Sequence, residues 1–418
     1  MIDLFIIADD FTGALDTGVQ FSGKGIRTLV SVGLPAEELS EDIEVLVIDT
    51  ETRHDSAEDA SRKVAACVRY ALKRQIPYLY KKTDSALRGN VGAELSALLR
   101  ESGETRLAFV PAYPKLGRVT RGGIQYVDGI PVHESAFGQE PFNPVRHSDV
   151  AGVIREQSDL PVMLADVNRP WAGETGITVY DACDDAELRA IAAYLQKTDI
   201  RVFAGCAGFA AHLPELLGIP DRAVDMPVLD TRLFVMCGSI HPVTQAQVRY
   251  AAERGFVRIP MLPEEKIKVL SGDENVRQEI TRRIEETVKT APYVIFDTAD
   301  EESGFRMMQA AEELGLCPEE IRQRLLRVMG EVFEDIYRNP EIGTMFITGG
   351  DTLHRCMEQM GIREVKPVCE ITRGTVIARL THGGCVKYVI TKSGGFGEEM
   401  LITEIASILR DQGTRERT

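Results

Sequence analysis

Short runs of β-branched and aromatic residues alternate with longer amphipathic stretches along most of this 418-residue chain. The runs are LFIIA, IEVLVID, IPYLYKK, RLAFVPA and RVFAG, followed by RLFVMCG, PYVIFDT, TMFITGG, TVIARL and VKYVITKSGG. Strand and helix patterns that alternate in this way are typical of parallel sheets flanked by helices. The alternation therefore predicts an α/β protein with mainly parallel sheets.

The length of the chain and one break in the pattern predict two domains. A single hydrophobic core stops growing at about 250–300 residues, so a chain of this length is expected to divide. The segment LGIPDRAVDMPVLDTR is rich in Pro and Asp and has no clear period, and a new strand pattern follows it. We therefore expect domains at residues 1–228 and 229–418, each with its own sheet and with a ligand cleft between them.

One part of the first domain does not follow the alternation. Residues 111–149 contain many Gly and Pro residues, and they are expected to form an irregular flap of the kind that often binds ligands. Within it, IQYVDGIPVH predicts a β-hairpin with Asp128-Gly129 as its two-residue turn. The alternative is a flap that only covers the core.

Charge and composition exclude several classes of function. A formal net charge of -16 argues against non-specific nucleic-acid binding, which needs clustered Lys and Arg. No stretch approaches the roughly 18 uninterrupted apolar residues of a membrane helix, and the start has no features of a secretion signal. We expect a cytoplasmic protein with no membrane or nucleic-acid partner; a homo-oligomer stays open.

Acidic residues end the first strand of the chain. Asp9 and Asp10 follow LFIIA, Thr12 and Gly13 are predicted to form a turn, and a helix is expected to begin at Ala14. In open α/β folds, ligands bind beyond the carboxyl ends of strands, so these acids stand where a ligand would. The alternative is that Asp10 or Thr12 only caps the helix, which does not explain two adjacent acids.

A second charged motif, YKKTDSALRGNVGAEL, follows another strand of the first half. Lys82 and Arg88 are suited to hold a carboxylate or a phosphoryl group, and Asp84 between them is suited to accept a proton from a hydroxyl. Arg53 ends a further strand and is a candidate for the same pocket. The alternative is an exposed turn with incidental ion pairs.

In the second half of the chain, the candidate motifs contain glycines in place of charged residues. Three strand patterns end in glycine-containing turns before a helix pattern, at Gly238-Ser239, at Gly349-Gly350-Asp351-Thr352 and at Ser393-Gly394-Gly395. Backbone amides at such junctions bind phosphates, although each junction alone is as well explained by a tight turn. The P-loop and dinucleotide fingerprints are absent, so the three junctions together predict a different phosphate site.

These motifs together resemble the four-carbon acid sugar kinases. The resemblance spans nearly the whole chain through DDFTGALD, KKTDSALRGNVGAEL, PAYPKLGR, CGSIHPVT, ITGGDT and KSGGFG. It implies an N-terminal domain that binds a sugar acid and a C-terminal domain that binds nucleotide. It also implies ATP-dependent phosphorylation of the terminal hydroxyl of a tetronate such as D-threonate or D-erythronate, with the 3-oxo acid as another substrate of the family.

The resemblance also assigns residues. The sugar-acid contacts would be Asp10, Arg53, Lys82, Thr83, Asp84 and Ser85, to which the charge pattern adds Arg88. The nucleotide contacts would be Ser239, Gly349, Gly350, Asp351, Thr352 and Gly394. Kinases of 3-oxo-tetronate typically lack the Lys-x-Asp-Ser-x-x-Arg-Gly arrangement of this chain, so the resemblance favours D-threonate first and D-erythronate next.

The expected mechanism uses ATP and Mg²⁺. Arg53 and Lys82 would hold the sugar acid, Mg²⁺ would bridge the ATP phosphates, and no residue of the chain is assigned as a direct metal ligand. Asp84 is the first candidate for the general base and Asp10 the second. The alternatives are a 3-oxo-tetronate kinase, a non-catalytic sugar-acid sensor and an NAD-dependent dehydrogenase of a sugar acid.

Overall fold

The structure, a computed structural model, describes residues 2–35, 39, 42–139, 144–168, 175–298, 311–392 and 395–415. The chain divides into two compact units, Met1–Val224 and Asp225–Thr418. Each unit is built on its own series of strands. Among the described residues, no helix is both long enough and apolar enough to span a lipid bilayer.

The first unit contains a parallel sheet. Its strands are β1 (Leu4–Ala8), β2 (Thr28–Val32), β3 (Val45–Asp49), β4 (Tyr78–Lys82), β5 (Arg106–Val110), β9 (Val162–Ala165), β10 (Gly176–Tyr180) and β11 (Val202–Gly205). They follow the order β2-β3-β1-β4-β11-β5-β10-β9, and every neighbouring pair is parallel. Strands β1 and β3 are buried along their whole length, because helices cover both faces of a parallel sheet.

The helices of the first unit are α1 (Phe11–Ser22), α2 (Ala57–Lys73), α3 (Val91–Ser102), α4 (Val150–Arg155), α5 (Asp185–Leu195), α6 (Ala207–Ala210) and α7 (Leu213–Leu217). Helix α2 illustrates how the sequence forms them. Ser56 caps it by accepting a hydrogen bond from the Asp59 amide at 3.1 Å. Its apolar stripe, which includes Val64 and Val68, packs into the core against α3 and the sheet.

The register of the central strands determines what lies at the carboxyl edge of this sheet. Strand β1 lies between β3 and β4, and its last residue, Ala8, is opposite Asp49 and Lys82. Gly205, at the end of β11, is also opposite Lys82. Because these parallel strands end at the same level, the segments that follow them emerge side by side.

The flap at residues 111–149 is more regular than expected. It contains a separate antiparallel sheet of β6 (Arg118–Arg121), β7 (Ile124–Val127) and β8 (Ile130–Pro131). The predicted hairpin is confirmed: β7 pairs with β8 across Asp128 and Gly129, whose φ angles of 51° and 82° are those a type I′ turn needs. Strand β6 was not predicted, and residues 140–143 lie outside the described part of the chain.

The second unit contains strands β12 (Leu233–Cys237), β13 (Val257–Pro260), β14 (Tyr293–Asp297), β15 (Thr344–Thr348), β16 (Glu364–Thr372), β17 (Thr375–His382) and β18 (Cys385–Lys392). Its helices are α8 (Pro242–Ala252), α9 (Pro263–Ser271), α10 (Asn275–Val288), α11 (Pro318–Tyr337), α12 (Gly350–Gln359) and α13 (Leu401–Arg415). The strands follow the order β13-β14-β12-β15-β18-β17-β16.

This second sheet is mainly parallel, but β17 is antiparallel to both β16 and β18. The prediction of a mainly parallel sheet is therefore confirmed, with β17 as an antiparallel exception. The reason is the connection: Gly383-Gly384 alone joins β17 to β18, whereas a parallel pair needs a crossover of a dozen or more residues.

Candidate active site

Asp10 lies at the carboxyl edge of the first sheet and caps helix α1. Its Oδ1 accepts a hydrogen bond from the Gly13 amide at 3.1 Å, and its Oδ2 accepts one from the Thr12 hydroxyl at 2.7 Å. Because of this cap, the helix begins at Phe11. The expected turn at Thr12 and Gly13, with a helix from Ala14, is therefore wrong, since both residues lie in the first turn of the helix.

Arg53 binds both aspartates that follow β1. Its Nε donates to Asp9 Oδ2 at 2.8 Å, its Nη1 donates to Asp10 Oδ2 at 3.0 Å, and its Nη2 lies 2.7 Å from Asp10 Oδ1. Burial disfavours the charged form of Asp10, but Arg53 and Lys82 outweigh burial and lower the pKa of this carboxyl below its ordinary value. Asp10 is therefore a carboxylate at neutral pH.

Lys82 places a buried ammonium beside this group. The residue is 4% exposed. Burial alone would lower its pKa, but Asp9 and Asp10 raise the pKa above its ordinary value, so the side chain stays charged. Within the described ranges, no residue accepts a hydrogen bond from Lys82 Nζ. Because buried polar groups are normally hydrogen-bonded, the three donors of this ammonium are suited to a ligand.

Gly13 is required for the approach of Lys82 to helix α1. A Cβ atom at this position would lie 2.7 Å from Lys82 Nζ and 2.3 Å from Asp10 Oδ1. Any side chain would therefore displace the ammonium or the capping carboxylate.

Asp84 is engaged by Arg88 through both of its oxygens. Its Oδ2 accepts from Arg88 Nε at 3.0 Å and from the Ala86 amide at 3.0 Å, and its Oδ1 accepts from Arg88 Nη2 at 2.8 Å. Burial disfavours the charged form of Asp84, yet Arg88 and Arg53 hold its pKa far below the ordinary value. Only 9% of the Asp84 side chain is exposed, compared with 19% for Asp10, so a substrate hydroxyl reaches Asp84 less readily.

Thr83 and Ser85 flank Asp84. The Thr83 hydroxyl is buried and has no hydrogen-bond partner in the described part of the chain. Ser85 is bound from the flap, because buried Gln125 donates to its carbonyl oxygen at 2.9 Å. The flap also places the Phe137 ring 5.1 Å from the Arg88 guanidinium. The flap therefore forms a wall of this site.

The first two glycine junctions of the second unit meet. A Cβ atom at Gly238 would lie 2.0 Å from Thr352 Oγ1, and one at Gly349 would lie 3.4 Å from the Ser239 nitrogen. Gly349 has a φ of 108°, and its amide donates to the Lys392 carbonyl oxygen at 3.2 Å. The ends of β12, β15 and β18 are thus packed together without room for side chains at the glycines.

The remaining predicted nucleotide residues differ in their positions. Gly350 begins helix α12, whose first amides have no partner within the helix and attract anions. The Asp351 side chain is turned toward α11, where its Oδ2 accepts from Arg322 Nη1 at 2.6 Å. Gly394 lies outside the described residues, together with Ser393.

Lys392 is a buried cation that the sequence analysis did not assign. It ends β18 as Lys82 ends β4, and its Nζ donates to Thr244 Oγ1 and to the Phe396 carbonyl oxygen, both at 3.1 Å. Burial lowers the pKa of Lys392 to about 8. Lys392 thus ties α8 to the segment that follows β18. The sequence feature that could have identified Lys392 is a charged residue at the end of an apolar strand, directly before glycines.

The pKa of Lys392 predicts a pH dependence of stability. Because the folded-state pKa of about 8 is lower than the 10.5 of the unfolded chain, the unfolded chain binds more protons between these values, and the unfolding free energy contributed by Lys392 rises with pH there. Relative to Lys392→Met, the wild type should gain up to about 3 kcal/mol across this window. Urea unfolding of both proteins at several pH values measures the difference, and a constant difference would contradict the lowered pKa.

Two family models together match most of the chain. One, described as a sugar-binding N-terminal domain, matches residues 4–213, and the other, described as a nucleotide-binding C-terminal domain, matches residues 234–402. The first match coincides with the charged site and the second with the glycine junctions.

Curated relatives are similar over nearly their whole length. A D-threonate kinase of Salmonella typhimurium is 31% identical, over 96% of this chain and 97% of the relative. A D-threonate kinase of Bordetella bronchiseptica is 30% identical, over 97% of each chain. A 3-oxo-tetronate kinase of Methylobacterium radiotolerans is 26% identical, over 94% of this chain and 95% of the relative.

A solved structure shares the fold. A Salmonella typhimurium protein described as a putative tRNA synthase has a TM-score of 0.79 and 20% sequence identity, with 97% of this chain and 99% of that chain covered. At this identity the likeness concerns the fold alone.

Proposed function

The chain belongs to the four-carbon acid sugar kinase family, and on this premise we propose that it transfers the γ-phosphoryl group of ATP to the terminal hydroxyl of a four-carbon sugar acid, with D-threonate preferred. In this proposal the first unit binds the sugar acid and the second binds the nucleotide. The charged site and the glycine junctions then have separate tasks.

The observation that carries the proposal is the buried ammonium of Lys82 beside Asp9, Asp10 and Arg53. A tetronate offers one carboxylate and three hydroxyls. The Lys82 ammonium can donate hydrogen bonds to the carboxylate or hydroxyl oxygens of the tetronate, whereas the Asp10 carboxylate can accept hydrogen bonds from its hydroxyls. A site with both signs of charge therefore matches a sugar acid better than it matches a neutral sugar.

The glycine junctions support a nucleotide in the second unit. Phosphates bind where backbone amides are exposed at a helix N-terminus and where no side chain blocks the approach. Gly350 begins helix α12, neither Gly349 nor Gly350 carries a side chain, and Thr352 lies beside Gly349. We assign Ser239, Gly349, Gly350 and Thr352 to the phosphates and place Asp351 at the margin of this site, since it faces Arg322.

Two carboxylates near the phosphate site are already paired with arginines. This arrangement fits an Mg²⁺ ion that is held mainly by the phosphates of the nucleotide. Asp297, at the end of β14, accepts from Arg258 Nε at 2.7 Å, and Asp351 pairs with Arg322, so neither binds a metal without loss of an ion pair. Mg²⁺ is commonly bound mainly by substrate phosphates and water, and it neutralises phosphate charge during transfer.

We assign the general base to Asp10 and a binding role to Asp84. Asp10 is partly exposed at the edge of the site, with 19% of its side chain accessible, so a substrate hydroxyl can reach it. Asp84 is held by Arg88 and instead fixes the two guanidiniums of Arg88 and Arg53, which lies 3.6 Å away. This assignment reverses the order of candidates that the sequence suggested.

The preference for D-threonate is supported by the relatives. Two relatives that are at least 30% identical over nearly the whole chain are named D-threonate kinases, whereas the 3-oxo-tetronate kinase of Methylobacterium radiotolerans is 26% identical and a D-erythronate kinase of Heliobacterium modesticaldum is 27% identical.

An ADP-release assay over a panel of four- and five-carbon sugar acids tests the proposal. D-threonate should give the highest kcat/KM, followed by D-erythronate, with little ADP released in the absence of an acceptor. ATP binding without turnover of any acid would contradict the proposal. Binding of a sugar acid without ATP binding would favour the sensor, and reduction of NAD⁺ by a sugar acid would favour the dehydrogenase.

Gly13→Ala should lower kcat/KM for D-threonate at least 10-fold, because the added Cβ would displace Lys82 Nζ or the Asp10 carboxylate. The matched control is Gly152→Ala. Gly152 is bound by Asp149 at the start of α4 just as Gly13 is bound by Asp10, and the three atoms nearest to its added Cβ would all belong to that capping side chain, the first at 3.1 Å. Steady-state kinetics should show near wild-type values for the control. Equal losses in both variants would attribute the effect to helix capping.

A further inference from the structure

A buried ion pair lies on the other face of β4 from Lys82. Lys81 is fully buried, Glu94 on α3 is 2% exposed, and Lys81 Nζ lies 3.2 Å from Glu94 Oε2. Successive residues of a strand point to opposite faces, so Lys81 points away from the side that Lys82 occupies. Neither Lys81 nor Glu94 is among the predicted site residues.

The pair continues to the residue before Arg53. Glu94 Oε1 accepts a hydrogen bond from the hydroxyl of Thr52, which is fully buried. Thr50 Oγ1 lies 2.9 Å from Thr52 Oγ1 and donates to the Ala8 carbonyl oxygen at 2.6 Å. Lys81, Glu94 and Thr52 are thus joined by side-chain contacts, and the Thr52 hydroxyl lies against that of Thr50, which is bound to the end of β1.

The backbone of Thr52 is bound on both sides. Its amide donates to the Asp9 carbonyl oxygen at 3.0 Å, and its own carbonyl oxygen accepts from Asn90 Nδ2 at 2.9 Å. The Arg53 amide also donates to the Asp9 carbonyl oxygen, at 3.2 Å. These bonds determine where the backbone of Arg53 lies relative to the two aspartates that its guanidinium binds.

A buried ion pair is a poor source of stability, because the desolvation of both charges offsets their attraction, and apolar residues of similar volume often serve the core as well. The presence of a buried ion pair between β4 and α3 therefore needs an explanation other than stability. A fully satisfied polar network specifies one orientation of the groups it binds, which apolar packing does not.

We propose that Lys81, Glu94 and the hydroxyl of Thr52 form a positioning network that sets Arg53 for the sugar acid. This inference rests on the proposed function, since it takes Arg53 as a contact of the sugar acid. Removal of the Thr52 hydroxyl leaves a buried Glu94 oxygen without its donor, and the backbone bonds to Asp9 and Asn90 then hold the segment of Arg53 without the side-chain bond. The affinity for the sugar acid then falls, while the nucleotide site of the second unit is unaffected.

Thr52→Val and Thr52→Ser test the network. Valine keeps the shape and removes the hydroxyl, whereas serine keeps the hydroxyl. With the full-length protein, Thr52→Val should raise KM for D-threonate about 10-fold or more and leave KM for ATP within about two-fold of the wild type. Thr52→Ser should restore most of the affinity. Thr178→Val, at a buried threonine of β10, is the matched control for a buried valine.

Two outcomes would overturn the inference. Wild-type kinetics in Thr52→Val would show that the hydroxyl is not needed, and an equal rise of KM for both substrates would indicate a general structural defect. Should Thr52→Val fail to fold, Glu94→Gln replaces it, with the same expected rise in KM for D-threonate and unchanged kinetics as the contrary result. Failure of the proposed function is distinguishable, because the wild type itself would then not turn over the acid.

Discussion

Replacement of Lys82 by methionine should lower kcat/KM for D-threonate by about 10²–10³-fold, the loss typical of a preorganised charge in a buried site. Methionine keeps the length and the apolar stem but removes the ammonium beside Asp9 and Asp10. The loss should appear as a raised KM for the acid and weaker calorimetric binding. KM for ATP should change little.

Lys73→Met provides the control for loss of a lysine, because Lys73 is exposed in the last turn of α2. Its kinetics should match the wild type. Lys82→Met with normal affinity for D-threonate would refute the role of the ammonium in binding the acid, even if the protein still proved to be a kinase.

Replacement of Asp10 by asparagine should reduce kcat by about 10²-fold or more, because a positioned general base contributes about that much. Asparagine remains a good helix cap and can still accept from the Gly13 amide, so any loss of unfolding free energy should come from the lost ion pair with Arg53 and not from the cap. The loss should lie in kcat, with KM for the acid altered less, as expected when a group acts mainly in the transition state.

Asp84→Asn distinguishes the two candidate bases. Loss of the charge at Asp84 weakens the bidentate pair with Arg88 and the contact with Arg53, so this variant should lose affinity for the acid more than it loses kcat. Single-turnover kinetics separate binding from chemistry. A loss of kcat confined to Asp84→Asn, with Asp10→Asn near normal, would return the role of base to Asp84.

The strands in the middle of each sheet were predictable from sequence, and several others were not. Each of the ten apolar runs contains a strand, because buried parallel strands are apolar on both faces. Strands β9 and β13 lie at the outer ends of the strand orders and are only partly buried, and β16 contains a proline and charged residues. Such strands do not form continuous apolar runs, so a search for runs misses them.

The sequence predicted that Asp10, Arg53 and Asp84 lie close together, but it did not predict how they pair. Side chains that end neighbouring parallel strands must meet, which is why Asp10 and Lys82 lie together. The bidentate pair of Asp84 and Arg88 depends on a tight turn in which Leu87 has a φ of 64°, which an apolar residue in the sequence does not indicate. The bond from Thr52 to Glu94 spans 42 residues and depends on how α3 packs.

The most direct test of the proposed reaction is a proton-coupled ³¹P NMR spectrum of the product formed from ATP, Mg²⁺ and D-threonate by the wild-type protein. Transfer to the terminal hydroxyl places the phosphate on a methylene carbon, so the phosphomonoester resonance should be a triplet, accompanied by an equal amount of ADP. A doublet would place the phosphate on a secondary hydroxyl, and release of inorganic phosphate without a new ester would show that D-threonate is not the acceptor.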